Sequence, residues 1–468
     1  MLFIELRFFL FAAVVYGIYW LARGNGFRKL WLLIASYAFY GAWDKRFLGL
    51  IALSTAVDYL IARELDVAAA PRRRKLLLGL SITINLGVLG LFKYFNFFAV
   101  SAAELLQWFG FHADVATLSI VLPVGISFYT FQTLSYCIDV YRRRLKSEQN
   151  VVDFALYVAF FPQLVAGPIM RASEFLPQLK APRSFAEIRW QPALLMFLIG
   201  FVKKSCISDN LSPYVDAYFA SPGDFDAVSS WLAAWLYCVQ IYCDFSGYSD
   251  MGIACAALLG YRLCRNFRHP YLASSVGDFW RRWHVSLSMW LRDYVYIPLG
   301  GSRDGEWRTR RNLLVTMLLG GLWHGAAWTF VAWGAMHGLA LVVQRAWSQR
   351  ADRWQLPAGP RSAAGWAMTF YWVGGAWMLF RAQDLNTAWL ALQSYAGLVS
   401  HGSMSLPAVL WLHLACLAAL HCLLHRVNVF ELSARIPQPA FAAFYGASAS
   451  ACLALSPVSH RPFIYFQF

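Results

Sequence analysis

Charge is what this chain has least of: Asp, Glu, Lys and Arg make up 14% of its 468 residues. A soluble domain carries about 25%, so a water-facing surface wrapped around two or three soluble cores is excluded. Familiar chemical signatures are missing too. None of the nine cysteines forms a CxxC pair and most stand in apolar runs, which argues against a disulfide or cysteine–metal framework and leaves small buried hydrophobes. There is no HExxH for a zinc hydrolase and no GxSxG for a serine hydrolase. No period of 20–50 residues recurs and no low-complexity linker divides the chain. A repeat-built transporter therefore lacks its usual signature, and 1–468 reads as a single membrane-embedded domain.

What is present is apolar length. Hydrophobic residues fill 59% of positions and the mean hydropathy is +0.47. Runs such as Phe8–Leu21, Leu30–Trp43, Phe47–Ala62, Leu76–Phe92, Leu118–Ile138 and Val151–Val165 recur along the first half. Pro192–Val202, Val228–Tyr242, Leu313–Val343, Trp366–Phe380, Pro407–Leu424 and Ala440–Pro457 follow in the second. They approach the ~20 residues that cross a hydrocarbon layer, which predicts about a dozen transmembrane or re-entrant helices. Lipid cannot satisfy open backbone groups and no period-2 barrel segments occur, so the fold expected is an all-α polytopic membrane protein. The first apolar run has basic residues after it (Arg23, Arg28, Lys29) and no small-residue cleavage site, so it reads as a retained helix.

The formal charge of +15 would suggest nucleic acid in a soluble protein. Here the basic residues gather in short loops between apolar runs: Pro71–Lys75, Arg142–Lys146 and Arg308–Arg311. That is the positive-inside pattern, and it predicts cytoplasmic loops, an N-terminus on the outer side and membrane lipid as the surrounding partner, with no nucleic acid. Loop 142–146 shares a side with 63–75 only if Tyr94–Phe111 adds no crossing, so that segment is expected to be interfacial or re-entrant. Arg171–Gln191 and Arg345–Arg361 read as aqueous loops, each with room for a short surface helix.

Three stretches carry candidate chemistry. Leu313–Gln344 holds no Asp, Glu, Lys or Arg yet contains His324 and His337. As one helix it would be about 48 Å long, so a break is expected at Gly320-Gly321-Leu-Trp-His324-Gly325. A histidine held there beside Trp323 is either a general base in a cavity or a structural residue bonded to a neighbouring helix. The second stretch, Asp278–Asp293, alternates basic, aromatic and hydroxyl residues around His284. It reads as an interfacial amphipathic connector, or as a cavity wall on which Arg281, Arg282 and Arg303 meet an anionic donor's phosphates. In the third, Gln240–Asp250, the carboxylates of Asp244 and Asp250 stand among Ser246 and Tyr248. These groups either do acid–base or substrate-contact work or simply partner cations. His269, His284, His324 and His337 lie near one another in sequence, but His324 and His337 fall about 220° apart around a continuous helix, and no metal site is expected.

Phe279-Trp-Arg-Arg-Trp-His284, Leu291-Arg-Asp-Tyr-Val-Tyr-Ile-Pro-Leu-Gly-Gly301 and Gly321-Leu-Trp-His-Gly-Ala-Ala-Trp328 together resemble the membrane-bound O-acyltransferase family, nearest to its branch of alginate O-acetyltransferase membrane subunits. Leu122–Tyr129, Phe161–Pro168, Asp244–Asp250 and Phe463–Phe468 fit the same branch. The resemblance implies a ring of helices around a thinned centre, with funnels from both faces meeting at a central tunnel. It makes His324 the catalytic histidine and His284 the second family histidine. Trp323, Arg281, Arg282, Asp244, Ser246, Tyr248 and Asp250 become the expected substrate contacts, and His337 receives no role. The implied activity is transfer of an acetyl group from acetyl-CoA or another acyl thioester, with no tightly bound cofactor. The implied setting is the bacterial inner membrane, with a periplasmic SGNH-type partner that acetylates an exopolysaccharide such as alginate or cellulose. An O-acyltransferase directed at lipid or protein, or a transporter of a lipid or glycan intermediate, are the alternatives.

Overall fold

The computed structural model describes residues 1–111, 117–164, 167–353, 358–457 and 461–464, with 352, 353 and 358–361 described through the backbone alone. Among these residues the chain is all-helical: no strand forms, and one isolated bridge joins Phe225 to Met404. Contacts divide it into two compact units, Met1–Ala193 with Met251–Cys264, and Leu194–Asp250 with Arg265–Phe468.

The first unit begins with α1 (Leu6–Leu21), α2 (Asn25–Gly41), α3 (Leu48–Val67) and α4 (Pro71–Leu89). Pro71 opens α4 at the position where its missing N–H costs nothing. A π-helical turn, Gly90–Tyr94, leads on into α5 (Phe95–Trp108), so Pro71–Trp108 is one helical run of 38 residues. Most of the segment expected to be re-entrant continues α4 and does not turn back. After it come α6 (Ile126–Tyr141), α7 (Val151–Ala159), α8 (Phe161–Leu164) and α9 (Ala172–Lys180). α6 starts later than its apolar run because Pro123 and Gly125, the latter at φ +75°, precede it. α9 is a short helix within the stretch expected to be a loop, and it buries Phe175, Leu176 and Leu179.

The polarity of this unit is turned inward. Asp58 of α3 is fully buried and accepts hydrogen bonds from Ser81 Oγ (2.7 Å) and Asn85 Nδ2 (2.8 Å) of α4, while Thr133 of α6 donates to Asn85 (3.2 Å). Lys29 of α2 pairs with Asp153 of α7 at 2.6 Å. Meanwhile Leu53, Leu60 and Leu76 on the same helices are exposed. Polar groups paired inside and large apolar side chains outside are what a lipid solvent selects.

The second unit takes α10 (Trp190–Phe201), a π-helical stretch Val202–Ser208, α11 (Asp209–Ala220) and the 32-residue α12 (Ala227–Leu258), although α10 begins and α12 ends in the first unit. It continues with α13 (Val276–Arg282), α14 (Val285–Leu291), α15 (Glu306–His324), α16 (Trp328–Arg353), α17 (Ala358–Arg381), α18 (Leu385–Gly397), α19 (Val409–Arg426), α20 (Val429–Ser433) and α21 (Gln438–Leu455). α16 runs through the first half of the stretch expected to be a loop, where Arg345 pairs with Glu306 at 2.7 Å; 354–357 of that stretch lie outside the described residues. So do 165–166 of the Phe161–Pro168 motif and 465–468 of the C-terminal one.

Among the described residues two helical runs, Pro71–Trp108 and Val409–Arg426, are long and apolar enough on their own to cross a membrane, with mean hydropathies of 1.8 and 1.5. That is far fewer than the dozen expected. Some of the remaining helices are short, as α7 shows with nine residues. Others mix ionic groups into the apolar run, as α12 does with Asp244 and Asp250.

Candidate functional site

The site begins at the end of α15. His324 is its last residue, and Gly325 follows in an extended conformation before α16 starts at Trp328. The expected break is therefore found, and its cause is steric. A Cβ on Gly321 would stand 2.2 Å from the Phe330 carbonyl oxygen, and one on Gly334 would stand 2.4 Å from that of Met317. The glycines let α15 and α16 touch backbone to backbone, which is the small-residue packing that membrane helices use. The hairpin fixes the position of His324.

His284 arrives from another direction. Ser275 caps α13 by accepting from the Asp278 N–H (3.2 Å), and the helix ends after Arg282. His284 then takes a left-handed backbone, φ +41° and ψ +55°, before α14 begins. A non-glycine residue there is uncommon and held by its surroundings. So the expected connector is two short helices hinged at the histidine.

The two imidazoles face each other with ring centroids 6.3 Å apart, and both residues are buried, at 0% and 3% exposure. That separation is too long for a direct ring-to-ring hydrogen bond and short enough for a bridging hydroxyl to reach both. Aromatic rings close the remaining sides. Trp323 and Trp333 each lie 5.0 Å from His324, Phe380 lies 5.3 Å from it, and Phe245 lies 4.6 Å from His284. Such a box excludes water while leaving a histidine pair that can accept and return a proton.

Other expected site residues have partners elsewhere. Asp244 is held by Lys204 (2.6 Å) and by the Ile464 N–H (2.8 Å), and Lys204 also reaches Asp209 (2.7 Å). Asp250 pairs with Lys203 at 2.7 Å. Ser246 and Tyr248 are buried on the same helix, and the Tyr248 ring lies 4.9 Å from Phe463. Arg281, 73% exposed, and Arg282 both reach Asp278, while Arg303 and Arg308 are exposed. His337 accepts from the Trp280 indole at 3.4 Å and lies parallel to Phe279. No three-residue group suited to a metal ion occurs among the described residues. Missed by the sequence reading were Lys203 and Lys204; two adjacent cations at the end of the apolar run Pro192–Val202 were the signal. A polar cavity of about 120 Å³ lies against Lys204, Gln240, Asp244, Asp216, Arg381 and Arg461.

The inward polarity and the apolar exterior describe an integral membrane protein, and the histidine pair inside an aromatic box is its candidate site. The chain belongs to the membrane-bound O-acyltransferase family, whose model matches residues 142–389, and it is an acyltransferase. It is 43% identical over 401 residues to a protein of Azotobacter vinelandii named "probable alginate O-acetylase", covering 85% of this chain and 78% of that one. The protein of the same name from Pseudomonas aeruginosa is 44% identical over 405 residues, covering 85% and 74%. A Helicobacter pylori protein named "peptidoglycan O-acetyltransferase" is 36% identical over 405 residues, covering 81% and 75%.

Proposed function

We propose that this chain takes an acetyl group from a cytoplasmic thioester, most simply acetyl-CoA, and delivers it across the bacterial inner membrane for O-acetylation of an exopolysaccharide such as alginate or cellulose. The observation that carries this reading is the buried His284–His324 pair. A hydroxyl oxygen attacks the thioester carbonyl carbon while His324 accepts the hydroxyl proton. The C–S bond breaks as the ester forms, and the thiolate leaves with the proton held by His324. His284 orients the hydroxyl or assists the base. Trp323 and its aromatic neighbours hold the reactants together, and positioning of that kind supplies several kcal/mol of the barrier. A ring of helices around a central tunnel, entered from both faces, would bring thioester and hydroxyl to the pair. Arg281 and Arg282 contact the donor, and Ser246, Tyr248, Asp244 and Asp250 line the approach through the elements that they brace. No cofactor is bound tightly, and the acetyl group passes to a periplasmic SGNH-type partner.

The N-terminus is periplasmic in this reading. The unbroken Pro71–Trp108 run supports it, because one crossing there and a return through α6 bring 142–146 to the side of 63–75. The relatives' names, alginate O-acetylase and peptidoglycan O-acetyltransferase, support a polysaccharide as the final acceptor over a lipid or protein.

The test is turnover of radiolabelled acetyl-CoA by the protein in nanodiscs, wild type beside His324→Ala. Label is expected to leave the donor with wild type alone. Equal turnover by a folded His324→Ala protein would remove His324 from the chemistry.

A further inference from the structure

Away from the histidine pair, a second group of histidines has no assigned role. His269 lies in the loop after α12, and His421 and His425 stand one turn apart near the end of α19. The ring centroids of His421 and His425 lie 4.9 and 5.0 Å from that of His269. The Tyr242 ring, 5.4 Å from His421, carries Lys203 Nζ over its face at 5.4 Å. Arg265 stands over Phe430 nearby. His269 is itself strained, with φ +49° and ψ +62°. Nδ1 of His269 and Nε2 of His421 are buried with no hydrogen-bond partner among the described residues, so donor capacity is left unused. Burial, and after it the positive charges of His425, Lys203, Arg282 and Arg265, hold the His269 imidazole below its ordinary pKa. Asp250 and Asp278 are the nearby carboxylates, and each is already engaged, by Lys203 and by Arg282.

Lys203, Arg265 and Arg282 against Asp250 and Asp278 leave the cluster net positive, which favours an anion over a divalent metal. The cluster is accessible, since Arg265 and His425 are exposed. It is also coupled to the chemistry. Arg268 N–H bonds the Arg282 carbonyl (2.9 Å), Val285 N–H bonds that of Asn266 (3.0 Å), and Ser286 Oγ bonds the Asn266 side chain (2.6 Å). The loop that carries His269 is thus fastened on both sides of His284.

We infer that His269, His421 and His425, with Arg265, Lys203 and Arg282, form the site that receives a phosphate-bearing group, and that its occupant is the phosphate of the thioester donor. Resting on the donor reading above, this gives the donor's anionic end a place beside the segment that holds His284. Guanidinium groups and neutral imidazole N–H donors suit a phosphate or diphosphate, and a bond assisted by the phosphate's charge is stronger than one between two neutral groups.

The probes are coenzyme A and inorganic pyrophosphate, titrated onto the full chain in phosphatidylcholine nanodiscs, with the exposed substitutions Arg265→Gln and His425→Gln chosen to spare the fold. Each is expected to weaken coenzyme A binding about tenfold, as loss of one charge-assisted bond requires. In turnover, KM for acetyl-CoA should rise by a similar factor while KM for acetyl-pantetheine, which has no phosphate, stays within twofold. Arg265→Lys should recover most of the affinity. Coenzyme A binding that is the same in wild type and variants overturns the assignment. If phosphatidylglycerol in the nanodisc displaces coenzyme A from wild type, a lipid headgroup owns the site and the donor assignment falls. If pyrophosphate binds in a variant-sensitive way and coenzyme A does not, the anion site stands and the acetyl-CoA reading is what fails.

Discussion

Lys204 sits between Asp209 and Asp244 with about 1% of its side chain exposed, and the net charge of the three is −1. A buried ion pair adds little against an apolar substitute, but removing one partner leaves an uncompensated charge in a medium that cannot solvate it. Lys204→Met leaves two carboxylates facing each other. It should cost roughly 3–5 kcal/mol, seen as a large fall in the thermal unfolding temperature in detergent. Arg281→Ala removes a 73%-exposed partner of Asp278 and should shift stability by less than ~1 kcal/mol in the same assay. The histidines divide in a similar way. His337 spends Nδ1 on the Trp280 indole and its face on Phe279, so His337→Phe should lose about 1 kcal/mol of stability and retain acyl transfer. His324→Gln should lose roughly 10²–10⁴ in kcat with the fold intact. Comparing kcat for the two substitutions separates a proton-transfer residue from a packing one.

At the scale of elements the hairpin of α15 and α16 decides where His324 stands. Gly321 and Gly334 oppose backbone atoms, which cannot swing aside as a flexible side chain can. Gly321→Val or Gly334→Val should therefore cost more than the ~1–3 kcal/mol of ordinary overpacking. Both should abolish activity while an exposed change on the same hairpin, Leu319→Ala, leaves it near wild type; trypsin sensitivity in detergent would report the splayed hairpin. This break was legible in the sequence, because a charge-free stretch of 32 residues is too long for one crossing and has one glycine-rich point at which to bend. The helices α1 to α4, α17, α19 and α21 also followed from their apolar runs, while α18 and α20 had none to announce them. The split of Asp278–Asp293 at His284 was not legible, since nothing local distinguishes a histidine in a left-handed backbone from one within an amphipathic helix. The partners of Asp244 were hidden for another reason. Lys204 lies 40 residues before it and Ile464 lies 220 after it, and only tertiary packing brings them together. The helical Arg345–Arg353 escaped because its polar residues mimic a loop, although Glu306 and Arg345 now pair across two helices.

For the molecule as a whole, the question is which way the helices cross. Leu53, Leu60 and Leu76 face outward while Asp58, Lys29 and Lys204 are enclosed, so the solvent around the belt is lipid and the ends of the helices meet water. A helical run of 38 residues spans about 57 Å against ~30 Å of hydrocarbon, so Pro71–Trp108 must protrude on at least one side. Its first turn carries Arg72, Arg73 and Arg74, which the proposed topology puts on the cytoplasmic side, as cations immediately beside a crossing favour. Trp108 and Phe109, both largely exposed, then sit at the opposite interface, where aromatic side chains anchor. α6 returns the chain to Arg142–Lys146. The side of Arg308–Arg311 follows by the same rule, and with it the side from which α15 rises to His324. Single cysteines introduced as Lys75→Cys, Lys146→Cys and Arg308→Cys, in a chain whose exposed Cys416 and Cys422 are serine, should react with a membrane-impermeant maleimide only in inverted vesicles. Gln107→Cys should react only in right-side-out ones. If Lys75→Cys and Lys146→Cys label from opposite sides, Pro71–Trp108 and α6 do not cross as a pair, and the donor would have to reach His324 along a different route from the one the basic loops mark.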